Sequence, residues 1–170
     1  MSAVTEPLYH LELIDGVEVQ KPLPKRPHAV VQMFLLAYLL SRLEEQGYDV
    51  LPELSVWCGA DRLIPDLTVV SQKAQYADGD LVSAADLVIE IRSPGQSREG
   101  LFEKARRLST RLHHASTAWV IDPETREAWV VVNGHADSAA GALQAGIGSG
   151  AYELTVPLAE IWQALQQRGL

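Results

Sequence analysis

The sequence predicts an α/β domain built on a central mixed β-sheet flanked by helices, with an N-terminal β-hairpin. Three observations carry that prediction. The segment DLVIEIR at 86–92 places Leu87, Val88, Ile89 and Ile91 in one short run that is apolar on both faces, as a strand covered on both sides requires. Ser93-Pro94-Gly95 ends it, and the apolar residues Leu101, Ala105, Leu108 and Leu112 then recur at helical spacing. Shorter strand patterns stand on either side of this strand–helix pair, which is the order of a sheet with helices packed on it.

Taken in order, HLELIDGVEVQ at 10–20 alternates around Asp15-Gly16, a pair that tolerates positive φ and so predicts a tight hairpin turn. KPLPKRP holds three prolines and excludes regular structure, and Pro27 then opens a helix to about Gln46. Val30, Val31, Phe34, Leu35, Tyr38 and Leu39 make that helix apolar around most of its circumference, so both faces are expected to be covered by protein. Gly47 stops it. Residues 50–57 and 67–71 read as strands with a turn at 58–61 between them. Ser97 caps the next helix, expected to run to about His114. Two strands at 118–121 and 127–132 are joined by Asp122-Pro123-Glu124-Thr125. Residues 139–150, rich in Gly and Ala, are expected to form a flexible loop or hairpin tip before a strand at 152–156. Its glycines lack the Gly-Lys-Ser/Thr ending of a phosphate loop. A helix at 158–167 closes the chain. Without repeats or a composition break, 1–170 reads as a single domain.

A chain of 170 residues, 47% hydrophobic and 21% charged, can build a core without disulfides. Its one cysteine, Cys58, excludes an intrachain disulfide and reads as a small semi-buried residue in a reducing compartment. The N-terminus lacks the basic start and apolar run of a secretory signal. The longest apolar stretch, 29–40, is broken by Gln32 and is too short to cross a bilayer. A cytoplasmic protein without membrane contact is expected. The net charge of -8 and pI near 5.0 argue against indiscriminate nucleic-acid binding. Between Arg92 and Arg111, however, six basic residues face only Glu99 and Glu103, which makes either a local basic face or a solvated helix face.

Glu90 carries the chemical information. A carboxylate in the middle of DLVIEIR is desolvated, and burying it unpaired costs several kcal/mol. A metal ion, a neighbouring cation or protonation would each remove that cost. Strand alternation puts Asp86, Val88, Glu90 and Arg92 on one face, so Arg92 is one possible partner. Asp66, after Pro65 at the entrance to the preceding strand, can reach the same place if the two strands are neighbours. Two carboxylates suit Mg²⁺, which keeps several waters. Lys104 lies on the flank of the buried helical stripe and is the candidate cation, although a flank lysine can also simply snorkel.

These residues belong to a longer series: ELIDG at 12–16, Pro27-His28, Pro65-Asp66, DLVIEIRSP at 86–94, Glu103-Lys104 and AWVIDP at 118–123. In that order, and over nearly its whole length, the chain resembles the Uma2 family of restriction-endonuclease-like proteins. The resemblance implies a PD-(D/E)XK-type nuclease core cutting DNA with Mg²⁺ or Mn²⁺, and a homodimer. It implies Asp66 and Glu90 as metal ligands, Lys104 as the catalytic cation displaced onto the following helix, Glu12 as an additional acidic site residue, and His28 near the site. Arg92 stands two residues after the glutamate, where nucleases of this core usually carry their lysine. Its planar fork suits phosphate, but it is a poor proton acceptor; Arg98 joins it and His28 as an expected phosphate or substrate contact. The chain departs from the family pattern at Gly100, at Leu108 and in a segment from Lys104 to Trp119 that is two residues longer. The alternative function is therefore a catalytically degenerate member that binds nucleic acid or protein.

Other constellations carry less. His113 and His114 are adjacent on a helix, so they point about a hundred degrees apart and do not share an ion. Ser97, Ser109, His113 and Asp122 lack the nucleophile elbow of a hydrolase triad. Trp57, Trp119, Trp129 and Trp162 are better explained by packing than by base stacking.

Overall fold

The computed structural model of the protein describes residues 10–111 and 117–170. The expected end of the second helix near His114, and the His113-His114 pair, lie outside the described residues. β1 (Leu11–Ile14) and β2 (Val17–Gln20) form the hairpin, with Asp15 and Gly16 at φ of 51° and 79° in its turn. α1 (Arg26–Leu43) has proline in its first turn and passes through a 3-10 turn at Glu44–Gln46 into Gly47, whose φ of 87° ends the helix. Six strands follow: β3 (Tyr48–Pro52), β4 (Val56–Cys58), β5 (Asp61–Leu63), β6 (Leu67–Ser71), β7 (Tyr76–Ala77) and β8 (Asp80–Leu81). β9 (Leu87–Ile91) leads into α2 (Arg98–Arg111), and α2 into β10 (Thr117–Asp122). β11 (Glu127–Val132), β12 (His135–Ser138), β13 (Ala142–Ile147), β14 (Tyr152–Pro157) and α3 (Leu158–Gln166) complete the chain.

The central sheet has the order β12-β11-β10-β9-β6-β3. β9 and β10 are parallel, as a connection through a helix permits, and the other neighbours are antiparallel. The fold is thus the predicted mixed sheet with helices on it. β9 is buried along its whole length. Leu87, Ile89 and Ile91 join a core with Val31, Leu35 and Leu39 of α1 and Ile161 and Leu165 of α3. Val88, on the opposite face, packs with Leu101, Ala105 and Leu108 of α2. By strand alternation Glu90 shares the face of Val88, beneath α2.

Several expectations are corrected. The single strand expected at 50–57 is two, because Glu53 adopts a left-handed φ of 53° and turns the chain. β3 joins the central sheet, while β4 enters a second sheet of order β2-β1-β5-β4-β8-β7. That second sheet escaped sequence reading because β5, β7 and β8 have only two or three residues each and cannot display a period. The region 139–150 holds a strand as well as the expected hairpin tip: Leu143, Ala145 and Ile147 of β13 alternate inward, and β13 pairs with β14 through a turn at 148–151. α1 is covered on one face only. Val31, Leu35, Leu39 and Leu43 are buried, whereas Met33 is 48% exposed. Cys58 is fully buried and Trp119 is a core residue, in line with their reading as packing residues.

Candidate active site

Four elements deliver charged groups to one buried place. Asp66 precedes β6 and is held against β9: its N–H donates to Ile89 O at 3.0 Å, and its Oδ2 accepts the Ile91 N–H at 2.6 Å. Glu90 projects from β9. Lys104 reaches down from α2, with Nζ 2.8 Å from Glu90 Oε1, 2.6 Å from Glu12 Oε1 and 3.0 Å from the Ile64 carbonyl it donates to. Glu12, on β1, also accepts the Ile64 N–H at 2.7 Å, so the second sheet fixes this carboxylate. The N-terminal hairpin is clamped in turn: Arg107 of α2 donates to Asp15 and Asp61 at 2.8–3.0 Å. His28 Nε2 on α1 lies 3.0 Å from Asp66 Oδ2. Sequence reading named Glu12, His28, Asp66, Glu90 and Lys104, and the structure buries all five in one cluster, in which His28, Asp66 and Glu90 line a small cleft and Lys104 and Glu12 pair beside Glu90.

Three further residues were not named as site residues. Lys21 sits 2.7 Å from Asp66 Oδ1 and 2.6 Å from Glu53 Oε2. Gln32 donates from Nε2 to Glu53 at 2.9 Å and to the Asp66 carbonyl at 2.8 Å. Lys21 stands in a proline-rich stretch that reads as a linker, and Glu53 within a segment that reads as a strand. Gln32 did leave a signal: it is the polar break in the apolar run, one helical turn after His28, and so shares its face.

Arg92 and Arg98 stand apart from this cluster. Arg92 does not pair with Glu90 as alternation allowed. Its Nη1 donates to Asp122 at 3.0 Å and Glu124 at 3.3 Å, and its Nε to the Gln96 carbonyl at 3.0 Å. Arg98 donates to the same Asp122 oxygen at 3.0 Å and to Glu127 at 2.8 Å. The expected phosphate contacts are therefore engaged in internal ion pairs.

In the cluster, four carboxylates (Glu12, Glu53, Asp66 and Glu90) meet two ammonium groups. With all four ionised, two negative charges are in excess, the charge a divalent ion would neutralise. The protein distributes this strain unevenly. Burial pushes the Glu90 carboxyl up to about 8, with Asp66 and Glu12 adding to the rise and Lys104 and Lys21 opposing it. Burial would raise Asp66 too, but the His28 contact and the charges of Lys21 and Lys104 outweigh it and hold Asp66 well below the usual carboxylate range. Burial alone would lower Lys104; Glu90, Glu12 and Asp66 reverse that and keep it a cation.

Two of the carboxylate oxygens, Asp66 Oδ1 and Glu90 Oε1, are buried without an aligned hydrogen bond, although an ammonium lies near each. Such oxygens fit a hard divalent cation. Among the described residues no group of three or more His, Cys, Asp and Glu side chains is arranged to hold a metal. Asp66 and Glu90 are the residues that could hold such an ion, since Mg²⁺ and Mn²⁺ take one or two carboxylates and complete their shell with water. No helix among the described residues is long and apolar enough to cross a membrane.

The model of the family Uma2, described as "Putative restriction endonuclease", matches residues 2–144. A crystal structure described as a "putative nuclease belonging to DUF820", from Anabaena variabilis ATCC 29413, superposes with a TM-score of 0.76 at 22% identity, over 91% of this chain and 90% of that one. At that identity the likeness is one of fold. No curated protein sequence matches the chain.

Proposed function

The chain belongs to the Uma2 family, whose description is that of a restriction endonuclease, and from that premise we propose that it is a Mg²⁺- or Mn²⁺-dependent endonuclease hydrolysing DNA phosphodiester bonds. The observation that carries the reading is the meeting of three buried groups from separate elements: Asp66 and Glu90 line one small cleft, and Lys104 Nζ lies 2.8 Å from Glu90 Oε1. Asp66 and Glu90 would hold the metal, which would supply Lewis-acid polarisation of the phosphoryl group. Lys104, kept protonated by its carboxylates, does not serve as a proton acceptor. Its three N–H groups are engaged by Glu12, Glu90 and the Ile64 carbonyl, so it acts through its positive charge, which would stabilise negative charge developing on the phosphoryl oxygens in a site where burial strengthens such interactions. Glu12 and the Ile64 carbonyl hold the ammonium in place, and His28 and the Ile91 N–H fix Asp66. A homodimer would present two such sites to the two strands of a duplex.

One observation favours a second reading, that of a catalytically degenerate module binding nucleic acid or protein. Arg92, Arg98 and Arg107 spend their charge on internal carboxylates, which leaves little of the local basic face to meet phosphate. The test is cleavage of supercoiled plasmid and labelled single strands with Mg²⁺, Mn²⁺ or EDTA, using wild type, Glu90→Ala and Lys104→Ala. Metal-dependent nicking that both variants lose supports the nuclease. Equal activity in all three marks contamination and sinks the assignment, and silence of a folded, metal-loaded wild type favours the binding module.

A further inference from the structure

Asp66 has more partners than a metal ligand can keep. Its oxygens face Lys21 Nζ at 2.7 Å, His28 Nε2 at 3.0 Å and the Ile91 N–H at 2.6 Å. A divalent cation needs a carboxylate lone pair free of competing cations, and an ammonium 2.7 Å from the oxygen repels it. Two of the three partners are fixed: Ile91 lies in β9 and His28 on the buried side of α1, and both address Oδ2. Lys21 alone addresses Oδ1, the oxygen that lacks an aligned hydrogen bond. It follows a strand exposed along its whole length and precedes residues 22–26, which are also exposed. It already touches a second carboxylate, Glu53, at 2.6 Å, and Gln32 holds that carboxylate in position.

We infer that Lys21 is the resident counter-cation of the metal-free site, an ammonium that yields Asp66 Oδ1 to an incoming divalent ion while remaining bound to Glu53. The two lysines then have separate roles. Lys104, enclosed by Glu12, Glu90 and the Ile64 carbonyl, stays in place whether or not metal is bound. Lys21 moves. In the metal-free protein it keeps the buried carboxylate paired, and on loading it is left at the mouth of the cleft it lines. The inference rests on the metal-site reading above and assigns a positioning role to a residue which that reading does not need.

The experiment uses the full chain and Mn²⁺ alone, without nucleic acid. Manganese affinity is measured by calorimetry for wild type and Lys21→Met, and the reactivity of each lysine toward an amine-modifying reagent is followed by mass spectrometry as Mn²⁺ is added to wild type. Lys21→Met is expected to bind Mn²⁺ at least fivefold more tightly. Lys21 labelling is expected to rise severalfold with a midpoint at the manganese dissociation constant, while Lys104 stays protected. Unchanged Lys21 labelling at saturating Mn²⁺ overturns the inference even if Lys21→Met binds more tightly, since charge removal alone would do that. If wild type binds no Mn²⁺, Lys21 does not yield Asp66 and the inference is overturned, whether or not Lys21→Met binds the ion. The labelling needs no variant to fold. Plasmid cleavage is scored separately, so exchange without cleavage leaves Lys21 assigned and sinks only the nuclease.

Discussion

Two clusters of charge lie at either end of a short run of β9 and its exit, and they are built on opposite terms. Around Asp122 each carboxylate oxygen is fully used: Oδ1 accepts the N–H groups of Glu124 and Thr125, and Oδ2 accepts Arg92 and Arg98. Its other acids, Glu124 and Glu127, stand in solvent. Around Asp66 and Glu90 the carboxylates outnumber the ammonium groups, Glu12, Asp66 and Glu90 are buried, and two oxygens lack an aligned hydrogen bond. The first arrangement is complete and needs no ligand. The second is incomplete in the sense that matters for chemistry, because a divalent ion would relieve an unfavourable state that already exists in the fold.

The widest separation between the two clusters is expected in catalysis. Glu90→Ala should lower metal-dependent DNA cleavage by on the order of 10³-fold, the scale of removing a principal transition-state stabiliser, whereas Asp122→Asn should leave it within a few-fold. Initial rates on plasmid, with circular dichroism to verify folding, decide this; equal losses would erase the distinction. Stability comes next. Lys104→Met removes the cation between Glu12 and Glu90 and should cost about 3–5 kcal/mol in EDTA, the scale for breaking a buried pair. Adding Glu90→Gln should restore part of it, because the stranded charge is then gone. Urea titration of the two variants measures both numbers, and a double variant no more stable than the single one would mean that Lys104 acts through packing alone.

The same contrast explains what could be read from the sequence. A buried strand advertises its composition, so Glu90 was visible as an anomaly inside DLVIEIR, and Asp66 and Lys104 followed from strand adjacency and the helical stripe. Family resemblance added Glu12 and His28. Lys21 and Glu53 were hidden because their burial is created by tertiary folding around irregular chain: a lysine between β2 and three prolines, and an acid at a left-handed turn. Arg92 was misread for a related reason. Alternation gives the face of a side chain but not its reach, and Arg92 lies beyond the end of β9, where its long side chain turns to Asp122. The second sheet was lost through the brevity of its strands, and β13 through its glycine and alanine content.

Without metal, the two clusters should respond to pH in opposite directions. The Glu90 carboxyl is raised from 4.5 to about 8, so its contribution to stability is full below 4.5, declines as pH rises, and is gone above about 8. The slope is at most about 1.4 kcal/mol per pH unit. Denaturant titrations of wild type in EDTA between pH 5 and 9 should show this decline, and Glu90→Gln should flatten it. Saturating Mn²⁺ should flatten it as well, since the ion stabilises the ionised carboxylate. A decline of the same size in Glu90→Gln would assign it to another group.

Asp122 gives the smallest effect and the opposite sign. Burial would raise it, but Arg98, the Thr125 N–H and Arg92 outweigh burial and hold it below the ordinary Asp value. Its contribution is therefore present above that ordinary value, about 3.9, and is lost only as pH falls through the lowered folded one. From pH 5 to 9 it should be constant. Asp122→Asn should cost about 1–3 kcal/mol, toward the lower end because Arg98 and Glu127 are open to water and their pairing is screened. That cost should be the same at pH 6 and pH 9 and should disappear in acid. A cost that grew toward high pH would tie Asp122 electrostatically to Glu90, and the two clusters would have to be treated as one site.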